Sequence, residues 1–251
     1  MLDVLKIRLK QGRQYIPDLK KAVINPMHRG FPVISAKQAG AGFDTDAVCP
    51  ASAITASPLS IDMGKCIFCG DCARECKNGE ITFSNFHKLS ADSAEKLIVT
   101  AATKAEEYEK SAVVVRKKLR SIFGRSLKLR QVSAGGCNGC ELELNACSNV
   151  NFDMGRYGID FVASPRHADG IVVTGPITEN MAYALEDTYK AVPDPKIIIL
   201  AGSCAISGGL FAGSKAIDRA FLIGKKIDLY VPGCPIHPLT FINGVMKVLG
   251  I

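Results

Sequence analysis

From residue 127 onward, short apolar runs alternate with longer stretches of helical period. The apolar runs predict strands near 127–132, 158–163, 170–174, 196–201 and 227–231, and the periodicity between them predicts helices near 141–150, 178–191 and 238–249. This alternation reads as an α/β domain with a mostly parallel, flavodoxin-like sheet. Asp194-Pro195, just before the isoleucine-rich run, suits a helix-to-strand turn. Between Ala91 and about Ser121 the pattern is charged and helical. Leu97, Ala101, Tyr108, Val115, Leu119 and Ile122 make an apolar stripe with no Pro or Gly before Gly124, which predicts a connecting helix. At the other end, Leu2, Leu5, Leu9, Ile16 and Leu19 stand among Lys6, Arg8, Lys10, Arg13, Lys20 and Lys21. That pattern suits either a short amphipathic helix on a bilayer surface or an arm packed on a partner subunit. Asn25-Pro26 through Arg29-Gly30-Phe31-Pro32 reads as irregular.

Three of the predicted strands share one ending: an apolar run, then Gly, then Cys. Val132 leads to Gly135-Gly136-Cys137-Asn138-Gly139-Cys140, the 197–201 run to Gly202-Ser203-Cys204, and the 227–231 run to Pro232-Gly233-Cys234. In a parallel α/β sheet the loops leaving the strand C-termini gather along one edge, where ligands bind. Cys137, Cys140, Cys204 and Cys234 are therefore expected to meet as one four-thiolate site, with the glycines letting the backbone close around it.

Composition narrows the class. Hydrophobic residues make up 47% of the 251, enough for a real core. The first ten residues are broken by charges, so no secretory leader is expected, and no run of about eighteen apolar residues is present to span a membrane. With a cytoplasmic address, ten cysteines read as metal ligands before disulfides. The formal charge of +7 suits a solvated basic surface, or contact with anionic lipid or an acidic partner. Nucleic acid is disfavoured, because no recognition motif accompanies the charge.

The most specific local motif is Cys66-Ile67-Phe68-Cys69-Gly70-Asp71-Cys72-Ala73-Arg74-Glu75-Cys76. This is C-x2-C-x2-C-x3-C, the bacterial ferredoxin run for a 4Fe-4S cluster. In two-cluster ferredoxins the fourth cysteine of each run serves the other cluster. Cys49-Pro50 looks like the tail of a second run, yet the positions that should complete it are Ala39, Gly42 and Thr45. The chain thus resembles a two-cluster ferredoxin domain that has lost one cluster. The pairing rule gives the surviving cluster to Cys49, Cys66, Cys69 and Cys72. Cys49 keeps the following proline, whereas Cys76 is followed by Lys77. The competing set uses Cys76 in place of Cys49. A zinc site uses the same thiolate chemistry, though three closely spaced cysteines suit a cube better than a tetrahedral knuckle.

The C-terminal domain resembles the small, 20 kDa-type subunit shared by NiFe hydrogenases and respiratory complex I. The resemblance rests on Gly136 to Glu141, Ser164-Pro165-Arg166-His167-Ala168-Asp169, Thr174-Gly175, Gly202-Ser203-Cys204-Ala205 with Gly208-Gly209, and Val231-Pro232-Gly233-Cys234-Pro235. The N-terminal domain, with Arg29-Gly30 and the Cys66 run, resembles the α+β ferredoxin-like subunit that partners this family. The organisation expected is an arm at 1–30, a ferredoxin-like 4Fe-4S domain at 31–90, a connecting helix at 91–126 and the 20 kDa-like domain at 127–251. The resemblance implies that Cys137, Cys140, Cys204 and Cys234 hold a proximal 4Fe-4S cluster beside the active site of a separate large subunit. Asn138-Gly139 between the first two cysteines is the hydrogenase form, and the nearest fit is a membrane-associated, energy-converting (group 4), formate hydrogenlyase-like NiFe hydrogenase.

The function these features imply is electron transfer through two 4Fe-4S clusters. The partners would be a large NiFe-type catalytic subunit, membrane-arm subunits and other iron-sulfur subunits, with a peripheral contact on the cytoplasmic side of the cell membrane. The rivals are the equivalent subunit of a nickel-free, complex I-like quinone- or other-acceptor oxidoreductase, and a non-redox zinc-binding structural protein. Glu141 and Glu143 are candidates for passing protons, or members of a solvated helix face. The resemblance implies that Arg166 and His167 face the large subunit, while from the residues alone they read equally as a strand-end turn. His237 stands where the family usually has proline, and either tunes the cluster or caps the following helix. Cys147 reads as a buried small apolar residue.

Overall fold

The computed structural model describes residues 2–12, 14–35, 44–76, 78–123 and 126–251. Arg13, Ala39, Gly42, Lys77 and Gly124 lie outside them. The chain begins with α1 (Leu2–Gln11), which buries none of its residues, so Leu2, Leu5 and Leu9 all face solvent. The arm regains the protein at Ile16, whose N–H donates to the Asn151 carbonyl, and at the fully buried Leu19, whose carbonyl accepts from Asn243 Nδ2 at 3.1 Å.

A small α+β domain follows. It comprises β1 (Pro32–Ile34), α2 (Thr45–Val48), β2 (Ile54–Ala56), β3 (Leu59–Asp62), α3 (Asp71–Glu75), β4 (Ile81–Phe83) and β5 (Ile98–Thr100). β1 and β4 pair antiparallel, and β2-β3-β5 form a second antiparallel sheet. Phe31, Ile61, Met63, Ile81, Leu97 and Tyr108 fill the core between them.

The connecting helix expected between Ala91 and about Ser121 is instead β5 followed by two short helices, α4 (Ala105–Ser111) and α5 (Lys117–Phe123). The cause is local and tertiary together. Ile98-Val99-Thr100 is β-branched, favours the extended chain, and finds a partner in β3. A second β-branched run, Val113-Val114-Val115, separates the helices. The apparent stripe is split: Leu97 and Tyr108 are buried in the small domain, while Val115 and Ile122 are exposed.

The rest of the chain carries β6 (Leu127–Ser133), α6 (Gly139–Ala146), β7 (Ile159–Phe161), β8 (Gly170–Thr174), α7 (Glu179–Ala191), β9 (Ile197–Ala201), α8 (Ser203–Ser207), β10 (Leu229–Val231) and α9 (Pro238–Leu249). The sheet order is β10-β9-β8-β6-β7 with every neighbour parallel, which is the flavodoxin-like arrangement. β8 and β9 are buried at every residue, as central strands covered on both faces must be. The two domains meet along the open edge of this sheet. Ala91 and Tyr230 exchange backbone hydrogen bonds of 3.0 and 2.8 Å, so the small domain caps β10. Thr240 on α9 donates its hydroxyl to the His87 carbonyl at 2.7 Å and accepts at its own carbonyl from Ser90 Oγ. Among the described residues, no helix is long and apolar enough to cross a membrane.

Candidate iron-sulfur sites

The loops leaving β6, β9 and β10 converge at the C-terminal edge of the sheet and bring Cys137, Cys140, Cys204 and Cys234 into one group. Cys137 and Cys234 are exposed there, Cys140 and Cys204 half-buried. Two glycines beside these thiols are required by close approach. Gly202, at φ +94°, would place a Cβ 2.5 Å from the Cys140 Sγ, and one at Gly209 would stand 3.0 Å from the Cys204 Sγ. Burial pushes the Cys140 thiol up to about 12, against the pull of the Ile236 N–H, and the neighbouring Glu141, Cys234 and Cys204 raise it further. Cys204 is raised by burial and then by Cys234 and Cys137, and Cys234 by burial and Cys137. These influences link Cys140 to Cys204 and Cys234, and Cys137 to Cys204 and Cys234.

A second group forms in the small domain. Cys49, Cys66, Cys69 and Cys72 line one cavity of about 320 Å³, counting the open space at its mouth, with Ile61 and Phe83 as apolar wall. Burial pushes Cys66 up to about 12 and Cys72 up to about 11; Cys72, Cys49 and Cys69 add to the first, and Cys69, Cys49 and Cys76 to the second. Backbone N–H groups point at sulfur: Ala53 donates to Cys49 Sγ at 3.2 Å and Phe68 to Cys66 Sγ at 3.3 Å. The turn that presents these thiols holds Phe68 at φ +55° and Gly70 at φ +80°. Arg29 fastens it to the arm by donating from Nε to the Phe68 carbonyl at 2.7 Å. Cys76 is not among the cavity's lining residues. It is buried, and burial raises its thiol, against the pull of the Ile81 N–H and with the Glu80 carboxylate adding to the rise. Among the described residues, no three or more Cys, His, Asp or Glu side chains stand as a group able to hold a single metal ion.

The family model described as the NADH ubiquinone oxidoreductase 20 kDa subunit matches residues 137–248. The chain is 37% identical over 131 residues to the "Probable membrane-bound hydrogenase subunit mbhJ" of Pyrococcus furiosus, covering 52% of this chain and 78% of that one. The chain belongs to the 20 kDa subunit family. Members of the family are subunits of oxidoreductase complexes. A subunit of the NADH-quinone oxidoreductase of Heliobacterium modesticaldum is 38% identical over 139 residues, covering 54% of this chain and 78% of its own. Formate hydrogenlyase subunit 7 of Escherichia coli is 36% identical over 143 residues, covering 57% and 56% respectively.

Around the 20 kDa-family domain's four thiols, the other residues singled out in the sequence fall into distinct places. Glu141 is 5% exposed, and its Oε1 accepts from Ser133 Oγ and Thr174 Oγ1, both at 2.6 Å. It therefore ties the start of α6 to the ends of β6 and β8 rather than lying on a solvated face. Glu143 lines a hollow with His28, Arg29, Cys234 and His237, and burial raises its carboxyl. Arg166 and His167 are exposed on a 3-10 turn (Pro165–His167). His237 is the N-cap of α9, its Nδ1 accepting from the Leu239 N–H at 3.1 Å, and its ring packs edge-on to His28 at 5.2 Å and Phe152 at 6.1 Å. Cys147 is fully buried beside Leu144, as a small apolar residue.

One residue escaped the sequence argument. Arg219 donates to the carbonyls of Pro176, Cys204, Ala205 and Ile206 at 2.8–3.2 Å, closing the open end of α8 and holding the Cys204 loop. Its partners span residues 176–206, so no spacing pattern marks it.

Proposed function

We propose that the chain is the electron-transfer subunit of a membrane-associated, hydrogenase-type oxidoreductase complex. Cys137, Cys140, Cys204 and Cys234 would hold one 4Fe-4S cluster, and Cys49, Cys66, Cys69 and Cys72 a second. Bound there, such clusters supply one-electron transfer to or from the NiFe site of a partner large subunit. The observation that carries this reading is the gathering of two separate all-thiol sets. One set has glycines leaving room at its sulfurs, and the other lines a cavity and accepts at two of its sulfurs from backbone N–H groups. Four soft donors without a carboxylate or imidazole suit iron-sulfur chemistry.

The protein's own work is to bury the thiols, hold them at fixed spacing and aim N–H groups at sulfur, which together set each site's potential. The raised Cys66, Cys72 and Cys140 thiols are protonated when the sites are empty, so loading releases protons. The membrane association and the further subunits rest on what the relatives are named as, and the NiFe large subunit on the resemblance of the strand-Gly-Cys loops to the hydrogenase small subunit. The same names support a second reading, a complex I-like quinone- or other-acceptor oxidoreductase without nickel.

The deciding experiment counts iron, sulfide, nickel and zinc, with EPR of the reduced state, in the complex purified through this chain. About eight iron and eight sulfide are expected from this subunit, two cubes of four. Cys49→Ala should lower the count by up to four iron, and Cys76→Ala should leave it unchanged. Nickel alongside supports the hydrogenase reading, and iron without nickel supports the acceptor-reducing one. Zinc without a cluster signal, or loss in C76A with retention in C49A, overturns the corresponding assignment.

A further inference from the structure

The two thiol sets are not independent lobes, because one residue touches the loops of both. Ser203 immediately precedes Cys204 and is 1% exposed. Its hydroxyl donates to the carbonyl of Cys66 at 2.6 Å, with the Gly233 carbonyl farther off at 3.2 Å. Its backbone N–H donates to that same Gly233 carbonyl at 3.0 Å, next to Cys234. The division of labour follows from donor number. A serine has one O–H and one N–H; the N–H serves Gly233, so the O–H is free for the shorter bond to Cys66. Ser203 is thus bonded to a cysteine of the small domain, joined by peptide bond to Cys204, and bonded to the loop of Cys234.

A second contact holds the same surfaces together. Ile206, one turn along α8, packs against the small domain's core, and Gly64 has no room for a Cβ, which would lie 2.8 Å from the Ile206 Cγ2. Packing alone keeps the domains adjacent without fixing the register of one loop on the other. The directional bond is what fixes it.

We propose that Ser203 is the positioning residue that couples the two thiol sites. Its hydroxyl sets the placement of the Cys66 loop against the Cys204 loop, and supplies the hydrogen-bonded link between them. The inference rests on the two-cluster reading above and deepens it.

The test uses the purified complex carrying Ser203→Ala, Ser203→Thr and Ile206→Ala, reduced with dithionite. Iron and sulfide are counted first, so that failure of the two-cluster reading appears in the wild type as missing iron. The readout is the magnetic interaction between the two reduced centres, seen as splitting and faster spin relaxation in EPR. Hydrogen exchange of the 66–69 loop is measured beside it. S203A should keep its iron, lose or alter the interaction, and exchange faster through 66–69. S203T, which keeps the hydroxyl, should restore both, and I206A should loosen packing without altering the interaction. If S203A does not load, Ser203→Cys keeps a weaker donor at the same place and should give an intermediate interaction. A fully loaded S203A or S203C with wild-type splitting and wild-type exchange overturns the proposal, as does an S203T that behaves like S203A.

Discussion

Replacing Gly202 by alanine tests whether the loop after β9 is shaped by the thiol beneath it. Gly202 sits at φ +94° and ψ 152°, a conformation that a residue with a Cβ adopts only under strain, at roughly 1–3 kcal/mol. The added Cβ would also stand 2.5 Å from the Cys140 Sγ, whereas heavy atoms come to rest at about 3.5–4.0 Å. Forcing that overlap adds roughly 1–3 kcal/mol, so the sum is about 4 kcal/mol. Gly213→Ala is the control. It has φ +81° and nothing within 4 Å of the added carbon, so it bears the backbone part alone, about 1–2 kcal/mol. For a chain of this size each kcal/mol moves the melting temperature by about 2–4 °C. G202A should therefore melt about 8–16 °C below wild type and G213A about 2–8 °C below. The assay is thermal unfolding under reducing, anaerobic conditions with an iron and sulfide count on the same samples. G202A should also lose iron from the Cys137 set, because the overlap is relieved most readily by turning the Cys140 sulfur away. If G202A melts with G213A and carries full iron, the loop is not built around the thiol and the cradle argument fails.

Two further outcomes follow from buried polar groups. Glu141→Ala removes the acceptor shared by Ser133 and the fully buried Thr174 and should cost about 2–3 kcal/mol in chemical denaturation, while Glu141→Gln, which keeps one acceptor oxygen, should cost about half as much; equal losses would mean that the site needs the charge and not merely an acceptor. His87 is buried with its Nε2 unpartnered, and burial, then Lys88 and His28, lowers it to about 4. Above about pH 6.5 the ring is neutral folded or unfolded; between about 6.5 and 4 only the unfolded chain takes the proton, so stability falls as the pH is lowered through that window, by on the order of 1–3 kcal/mol. A urea midpoint that falls between pH 7 and pH 4.5, with a shallower fall in His87→Phe, is the expected result, and identical slopes would exclude His87 as the cause.

The C-terminal sheet was legible because each of its strands is an apolar run with a sharp end. β8 and β9 lie at 170–174 and 197–201, against runs read at 170–174 and 196–201, since strands buried on both faces leave no polar residue to blur their limits. The strand-Gly-Cys endings carried the expectation that four thiols meet, because a parallel sheet sends all those loops to one edge. β5 was not legible: its pairing with β3 joins Ser60–Asp62 to Ile98–Thr100, and no local period encodes a partner that far away. The choice between Cys49 and Cys76 was open at the level of spacing. In space Cys49 lines the small-domain cavity with Cys66, Cys69 and Cys72 and Cys76 does not, and nothing in the spacing of the cysteines reports that placement.

The way the domains meet explains why two thiol sets far apart along the chain can share one serine. An open β-sheet has an edge whose N–H and C=O groups seek partners, and here that edge is β10. The small domain covers it through the Ala91–Tyr230 pairing, and β10 is also the strand whose following loop carries Cys234. α8, which carries Cys204, follows the neighbouring strand β9 at the same end of the sheet. Covering the edge therefore sets the Cys66 loop against the Cys204 and Cys234 loops, within reach of the Ser203 hydroxyl. A change that undid the Ala91–Tyr230 pairing would expose the sheet edge and separate the thiol sets together, which is the sense in which the fold of the large domain and the proposed electron path depend on one interface.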